Sequence, residues 1–541
     1  MRLTLRLLSS VINKRPFYIT TPIFYVNAAP HLGHLYTAVV ADAIQRFEKL
    51  IDPNCNVKFS TGTDEHGTKI QQAAAKSNKS LINYCDNISK DYKDLFDEYE
   101  VEYTDFVRTT EERHKKAVSH FWRKLVENDY IYKAKYAGWY SVNDEAFVPE
   151  AHTRDEVTEN GKIKISIESG HRVDWTEETN YMFRLSAFKT HLHKWLSTDG
   201  VIVPNKFQKQ LQELVSKDAY LPDISVSRPS DRVHWAIRVP DDEEQSVYVW
   251  LDALVNYLTV CGYGEKDCVG WPADVQVVGK DILKFHGIYW PAFLMASGRH
   301  PPRRLVCHAH WTVDGSKMSK SLGNVVSPRD TVAPNALRYM MLREATLADD
   351  ANFSSTKLLN IANSELADTL GNLAARVTGS ALNPREEFPA NKGIQHELAT
   401  RLMDQIDRLP DECHTHYSNY QFYKVVDAVM KVLHIGNLFF ETLKPWELKK
   451  MNRQEELDAV IHITMETLRI CSIILQPIIP SLSNKLLDKL QIPKDERLWQ
   501  NCQGSWINGV TETKKIQSGK FVLFPRIYVD KKDAQKKKAK S

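Results

Sequence analysis

Two short strings constrain this 541-residue chain more than any other feature: His31-Leu32-Gly33-His34 and Lys317-Met318-Ser319-Lys320-Ser321. They stand roughly 280 residues apart, the separation that a domain-sized insert between two halves of one open parallel sheet produces. Each follows a short apolar run of the kind that forms a buried strand, Phe17-Tyr18-Ile19-Thr20 before the first and Arg304-Leu305-Val306-Cys307 before the second. After the first string, Leu35, Val39, Ala43 and Phe47 recur every four residues, so a helix starts near His31. A helix that begins just after a strand gathers free N–H groups and the positive end of its dipole, which suits an anion. Gly33 lets a flat base or a phosphate approach the backbone. His31 and His34 are three apart on one helical face and can donate to phosphate oxygens. The second string sits in the stretch 314–324, whose two glycines, three serines and two lysines make the composition of a mobile phosphate clamp. Taken singly, the histidine pair also fits a capped core helix, and the lysine string a solvated loop. Together, in this order, they point to chemistry on a nucleoside triphosphate.

With their surroundings, the strings resemble the paired ATP motifs of class I aminoacyl-tRNA synthetases, with Leu32 where that family usually has isoleucine. Four further blocks narrow the resemblance to methionyl-tRNA synthetases of the mitochondrial type. They are Thr20-Thr21-Pro22-Ile23-Phe24-Tyr25-Val26-Asn27, Thr61-Gly62-Thr63-Asp64-Glu65-His66-Gly67, Tyr248-Val249-Trp250-Leu251-Asp252-Ala253-Leu254 and Gly279-Lys280-Asp281-Ile282. The resemblance runs over about residues 17–480. It implies an α/β, Rossmann-like parallel-sheet catalytic domain with an inserted connective domain, followed by an all-α helical bundle that binds the anticodon. It also implies ATP-dependent activation of L-methionine to methionyl-adenylate and transfer to the 3′ end of tRNA(Met), with Mg²⁺ accompanying the ATP.

Carried over residue by residue, the resemblance makes His31, His34, Lys317 and Lys320 catalytic. It adds Gly33, Gly279, Asp281, Met318, Ser319 and Ser321 to the ATP site, with Asp281 accepting from ribose hydroxyls. Ile23, Tyr25, Trp250, Ala253, Tyr257 and His286 would surround the methionine side chain, whose thioether favours aromatic edges, and Asp64 would take the ammonium group. Asn372, Arg376 and Trp446 would read the anticodon, since an amide and a guanidinium can read base edges while an indole stacks on a base.

The net charge of +3 is too small to announce a nucleic-acid protein, so an RNA surface has to be a local patch. No run of 18 apolar residues occurs, and no transmembrane helix is expected. Residues 1–41 carry no acid; Arg2, Arg6, Lys14 and Arg15 alternate with Leu, Ser and Thr, as in a mitochondrial presequence. That places the chain in the mitochondrial matrix. The eight cysteines include no Cys-x-x-Cys pair, and Trp139-Tyr140-Ser141-Val142-Asn143-Asp144-Glu145 stands where many relatives carry a zinc knuckle, so no zinc is expected.

The expected organisation is a presequence over 1–16, a first catalytic half over 17–105, and remaining helices with the connective insert over 106–246. A second catalytic half follows over 247–330, a linker that contacts the tRNA stem over 331–357, the anticodon bundle over 358–500, and a basic C-terminal segment over 501–541. Stripes at three-or-four spacing carry the bundle: Leu358 to Val377, Phe422 to Phe440, and Leu457 to Leu475. Glu365, Asp368, Asn372 and Arg376 are expected on the polar face opposite the first stripe. The chain ends soon after the bundle, and a monomer is expected. Two other readings remain open at this level: another class I synthetase, against which the short insert argues because aliphatic specificity usually needs an editing domain, and a non-catalytic tRNA-binding paralogue.

Overall fold

The structure, a computed structural model, describes residues 15–528 apart from 142–145, 149, 159–160, 168, 217–220, 267, 319–322, 332 and 509–511. Arg2, Arg6, Lys14, the C-terminal lysines, most of the candidate knuckle segment, and Ser319, Lys320 and Ser321 therefore lie outside the described residues.

Along the chain come β1 (Phe17–Tyr25), α1 (Leu32–Ile51), β2 (Val57–Asp64), β3 (Asp105–Arg108) and α2 (Glu112–Glu127). An antiparallel insert follows, then β4 (Ile202–Val203), α3 (Val249–Thr259), β5 (Val275–Gly279) and β6 (Leu305–His308). The remaining helices used below are α4 (Pro334–Glu344), α5 (Ser355–Ile361), α6 (Asn372–Thr378), α7 (Glu397–Ser418), α8 (Phe422–Leu443), α9 (Pro445–Lys450) and α10 (Gln454–Leu475). The chain divides into two compact units, residues 1–30, 56–97 and 102–308 in the first and 31–55, 98–101 and 309–541 in the second.

The first unit is built on a six-stranded sheet in the order β3-β2-β1-β5-β6-β4, every neighbouring pair parallel. A parallel sheet covered on both faces needs near-continuous apolar strands, and β5 is buried at all five positions. Strand order reverses between β1 and β5. Ligands of such sheets bind outside the carboxyl ends of the strands at that reversal, here marked by Tyr25, Asp64 and Gly279. The insert pairs Ile131–Ser141 with Arg172–Phe183, and a hairpin forms from Thr153–Thr158 and Gly161–Ser166. Arg15 is fastened to this unit: its guanidinium donates to the carbonyls of Gly270 at 3.2 Å and Pro272 at 3.1 Å and pairs with Asp274. Asp274 in turn accepts from the Tyr18 amide at 2.9 Å.

In the second unit every apolar position of the three stripes is buried. Among the described residues, no helix is long and apolar enough to cross a membrane. One fully buried ion pair organises the unit. Arg338 of α4 donates to Asp42 of α1, and also to the carbonyls of Tyr99 at 3.0 Å, Pro477 at 3.0 Å and Ile478 at 2.9 Å.

The first bundle helix departs from expectation. Between α5 and α6 the chain runs as a π-helix over Ala362–Gly371. A π turn holds more residues than an α turn, so side chains on either side of the stretch lose their α-helical alignment. Glu365 consequently does not share a face with Asn372 and Arg376. Its carboxylate turns inward and accepts from the Tyr339 hydroxyl at 2.6 Å and from Arg343 at 3.2 Å. Asp368 is exposed and pairs with Arg526.

Candidate active site

The second unit holds both diagnostic strings. His31 is the N-cap of α1, with φ −128°, and stands outside the helix. Its Nδ1 accepts from the Gly33 amide at 3.1 Å, while His34 Nδ1 accepts from the His31 amide at 3.3 Å. The two rings stack at 3.7 Å. With both Nδ1 atoms accepting, the proton of each neutral ring sits on Nε2, which becomes the donor. This arrangement overturns one expectation. The first four amides of α1 do not wait for an anion: Leu32 donates to the Val326 carbonyl at 3.1 Å, Gly33 to the His31 ring, and His34 and Leu35 to the His31 carbonyl. The donors that this turn presents through its histidines are therefore their Nε2–H groups.

The lysine loop meets the same turn. Trp311, ahead of the loop, packs edge-on against Tyr36 with ring centroids 6.0 Å apart. Ser316–Lys317 pairs with Trp311–Val313 as a short antiparallel strand. A methyl group on Gly33 would stand 3.0 Å from the His31 ring and 4.0 Å from the Met318 methyl. Beyond the loop, Val326 takes the Leu32 amide. Met318, distant in sequence, thus lies beside Gly33 between the two histidines in space.

In the first unit, the predicted pocket residues gather at the carboxyl ends of β1, β2 and β5 and along α3. Asp64 closes β2, and Ile23 and Tyr25 close β1, all three buried or half-buried. Gly279 ends β5 beside His308 of β6, and a methyl group on it would stand 2.6 Å from the Asp281 carboxylate. The absence of a Cβ is what lets Asp281 fold back over the strand end. Trp250 of α3 stacks on Phe285 at 3.6 Å, an aromatic partner for which the sequence carries no periodic signal.

Tyr257 and His286 are both buried and joined at 2.7 Å. The Nδ1–H of His286 donates to the Ile282 carbonyl at 2.9 Å, so Nε2 accepts from the Tyr257 hydroxyl. Burial pushes the imidazole pKa down from 6.5 to about 4, against the opposing pull of the Ile282 carbonyl. The pair is therefore neutral at physiological pH, as its burial favours. The sign follows for stability. The unfolded chain takes up this proton below pH 6.5 while the folded chain resists it, so stability is intact above 6.5 and falls toward pH 4, by up to about 3 kcal/mol. Urea midpoints of the wild type and His286→Gln should differ less as pH falls through that window; a constant difference would contradict the neutral assignment.

The three predicted RNA-reading residues belong to one patch of the second unit. Asn372 is exposed at the start of α6, and Arg376 follows one turn on. The Arg376 guanidinium lies 5.5 Å from the Trp446 ring and 4.8 Å from the Phe440 ring, and pairs with Glu441. Trp446 is half-buried at the start of α9. The sequence did not mark Phe440 or Glu441 as members of this patch. Among the described residues, no group of three or more His, Cys, Asp or Glu side chains converges to hold a metal ion.

Comparison with known proteins agrees with this layout. The family described as tRNA synthetases class I (M) matches residues 17–378, and the anticodon binding domain of methionyl tRNA ligase matches 389–540. The human mitochondrial methionine–tRNA ligase is 44% identical over 89% of this chain and 84% of its own length. The Xenopus laevis mitochondrial enzyme is 42% identical over 96% and 94%. The structure of Mycobacterium tuberculosis methionyl-tRNA synthetase in complex with methionyl-adenylate superposes with a TM-score of 0.87 at 33% identity, covering 95% of this chain and all of that one. This chain belongs to the methionyl-tRNA synthetase family within the class I aminoacyl-tRNA synthetases.

Proposed function

We propose that the chain is a methionine–tRNA ligase that activates L-methionine with ATP and charges tRNA(Met) in the mitochondrial matrix, acting as a monomer. The observation that carries the reading is the approach of Met318 and Val326, on either side of the lysine string, to the histidine-capped start of α1, together with membership of the family. In the first step the methionine carboxylate attacks the α-phosphorus and pyrophosphate leaves. Positioning and charge stabilisation drive such a step, and no protein nucleophile is needed. The Nε2–H groups of His31 and His34 donate to the phosphates, Gly33 leaves room for the nucleotide, and Lys317 and Lys320 close over it with Met318, Ser319 and Ser321. Asp281, beside Gly279, accepts from the ribose. Asp64 takes the ammonium, and Ile23, Tyr25, Trp250, Ala253, Tyr257 and His286 take the side chain. A ribose hydroxyl of the terminal adenosine of the tRNA then accepts the methionyl group, after Asn372, Arg376 and Trp446 have read the anticodon.

Mg²⁺, when bound, neutralises triphosphate charge. We infer that it arrives on the nucleotide, its phosphates supplying most of its ligands. The lack of closely spaced cysteines supports an enzyme without zinc. The basic, acid-free N-terminus supports a leader, and the Arg15 anchorage favours an end ahead of Arg15 over the expected end at residue 16.

Pyrophosphate exchange across the twenty amino acids tests the reading: methionine alone should support it, and exchange with none, or better exchange with another amino acid, would overturn it. Lys320→Ala should lower methionine-dependent exchange by at least about tenfold, roughly 1.4 kcal/mol of barrier. Undiminished exchange would remove the clamp role.

A further inference from the structure

Asp252 is fully buried, yet it belongs to none of the substrate contacts above. A buried carboxylate is tolerated only when both oxygens are well partnered. Here Oδ2 accepts from His66 Nδ1 at 2.7 Å and Oδ1 from His114 Nε2 at 2.8 Å. Burial alone would raise the pKa of the Asp252 carboxyl; the two histidines outweigh it and hold the group down at about 2. The other nitrogen of His114 meets the Thr259 hydroxyl at 2.9 Å.

The three partners come from three elements. Asp252 lies in the first turn of α3 and Thr259 in its last, so His114 of α2 spans the whole helix. His66 follows Asp64 by two residues at the exit from β2. On α3, Trp250, Ala253 and Tyr257 fall within roughly 60° of one another around the axis, while Asp252 and Thr259 fall together on the far side, within roughly 20°. The histidines therefore grip the back of the helix whose front carries the proposed pocket. A slip of one residue would turn that front away by roughly 100°.

We propose that Asp252, His66 and His114 are positioning residues for amino-acid selection: they fix the rotation of α3 against the end of β2, and so fix Trp250, Ala253 and Tyr257 relative to Asp64. This deepens the functional reading above and rests on it. The effect belongs to methionine binding and to discrimination between side chains, and leaves ATP binding alone.

The test is pyrophosphate exchange on the full chain with methionine and with norleucine, its sulfur-free isostere. His66→Ala should raise the KM for methionine by at least about tenfold with the KM for ATP within about twofold, and should shrink the methionine-to-norleucine ratio of kcat/KM at least about fivefold. His66→Asn, whose amide donates from the place of Nδ1, should recover most of the loss, and so should His114→Gln relative to His114→Ala. Equal rises in both KM values, an unchanged ratio, or an asparagine variant no better than alanine would overturn the proposal. If His66→Ala does not fold, Asp252→Asn keeps the side-chain shape and decides by the same split. A wild-type chain inert toward methionine would overturn the functional reading itself, before any variant is compared.

Discussion

Arg338→Ala should cost the second unit about 3 kcal/mol, because it withdraws a guanidinium from a buried carboxylate, leaving Asp42 to Arg46 at 2.7 Å and Gln45 at 2.9 Å, and orphans three carbonyls. Asp42 is fully buried on α1, and the missing guanidinium would also desert the carbonyls of Tyr99, Pro477 and Ile478. Tyr99 and the adjacent Pro477 and Ile478 lie in two different stretches of chain, so one substitution loosens α1, α4, the segment at Tyr99 and the turn after α10 at once. Urea or thermal unfolding should show the loss directly. Exchange activity should fall with it, since α1 carries His31 and His34. The variant Arg338→Met keeps the bulk of the side chain without its charge and should lose about as much, since Asp42 and the carbonyls lose the same donors. A loss below about 1 kcal/mol in the single variant would mean that water replaces the guanidinium and that the pair organises nothing.

Trp446→Ala should separate the two halves of the proposed reaction. A base stacked on an aromatic side chain is worth about 1–3 kcal/mol, so charging of tRNA should fall by roughly tenfold to a hundredfold at limiting tRNA. Methionine-dependent pyrophosphate exchange should stay within about twofold, because the indole lies on α9 of the bundle and belongs to no substrate contact proposed for adenylate formation. The ring is half-buried and its neighbours are Phe440 and the Arg376 guanidinium, so the unfolding midpoint should move little. Parallel losses in charging and exchange would argue that Trp446 supports the fold and does not read RNA.

Local periodicity made much of the architecture legible. The four-residue recurrence from Leu35 to Phe47 became the buried side of α1, and the stripes from Leu358, Phe422 and Leu457 became the bundle core. Strand–helix boundaries at Phe17 and His31 were legible because apolar runs and helix starts are written in adjacent residues. What escaped has a common cause. The Asp42–Arg338 pair joins residues 296 apart, and Asp252 meets His66 across 186. Such partners are chosen by topology, and no window along the chain contains both. The π-helical stretch escaped for a related reason: the apolar positions keep a three-or-four spacing through it, and only the inward turn of Glu365 reveals the changed register. The saturated amides at the start of α1 escaped because their acceptors include the Val326 carbonyl, on the far side of the lysine loop.

The peg formed by Arg15 bears on how the protein must be made. Its guanidinium reaches Gly270, Pro272 and Asp274, and Asp274 also steadies the entry to the first strand through Tyr18. A chain trimmed to Phe17 would lose that peg, whereas one that kept Arg15 would leave the entries to the central strands β1 and β5 fastened. The same holds at the bench: in recombinant protein begun at Phe17 the Asp274 carboxylate keeps the Tyr18 amide and, at 3.5 Å, Arg303, but loses its Arg15 partner, and protein begun a few residues earlier keeps all three.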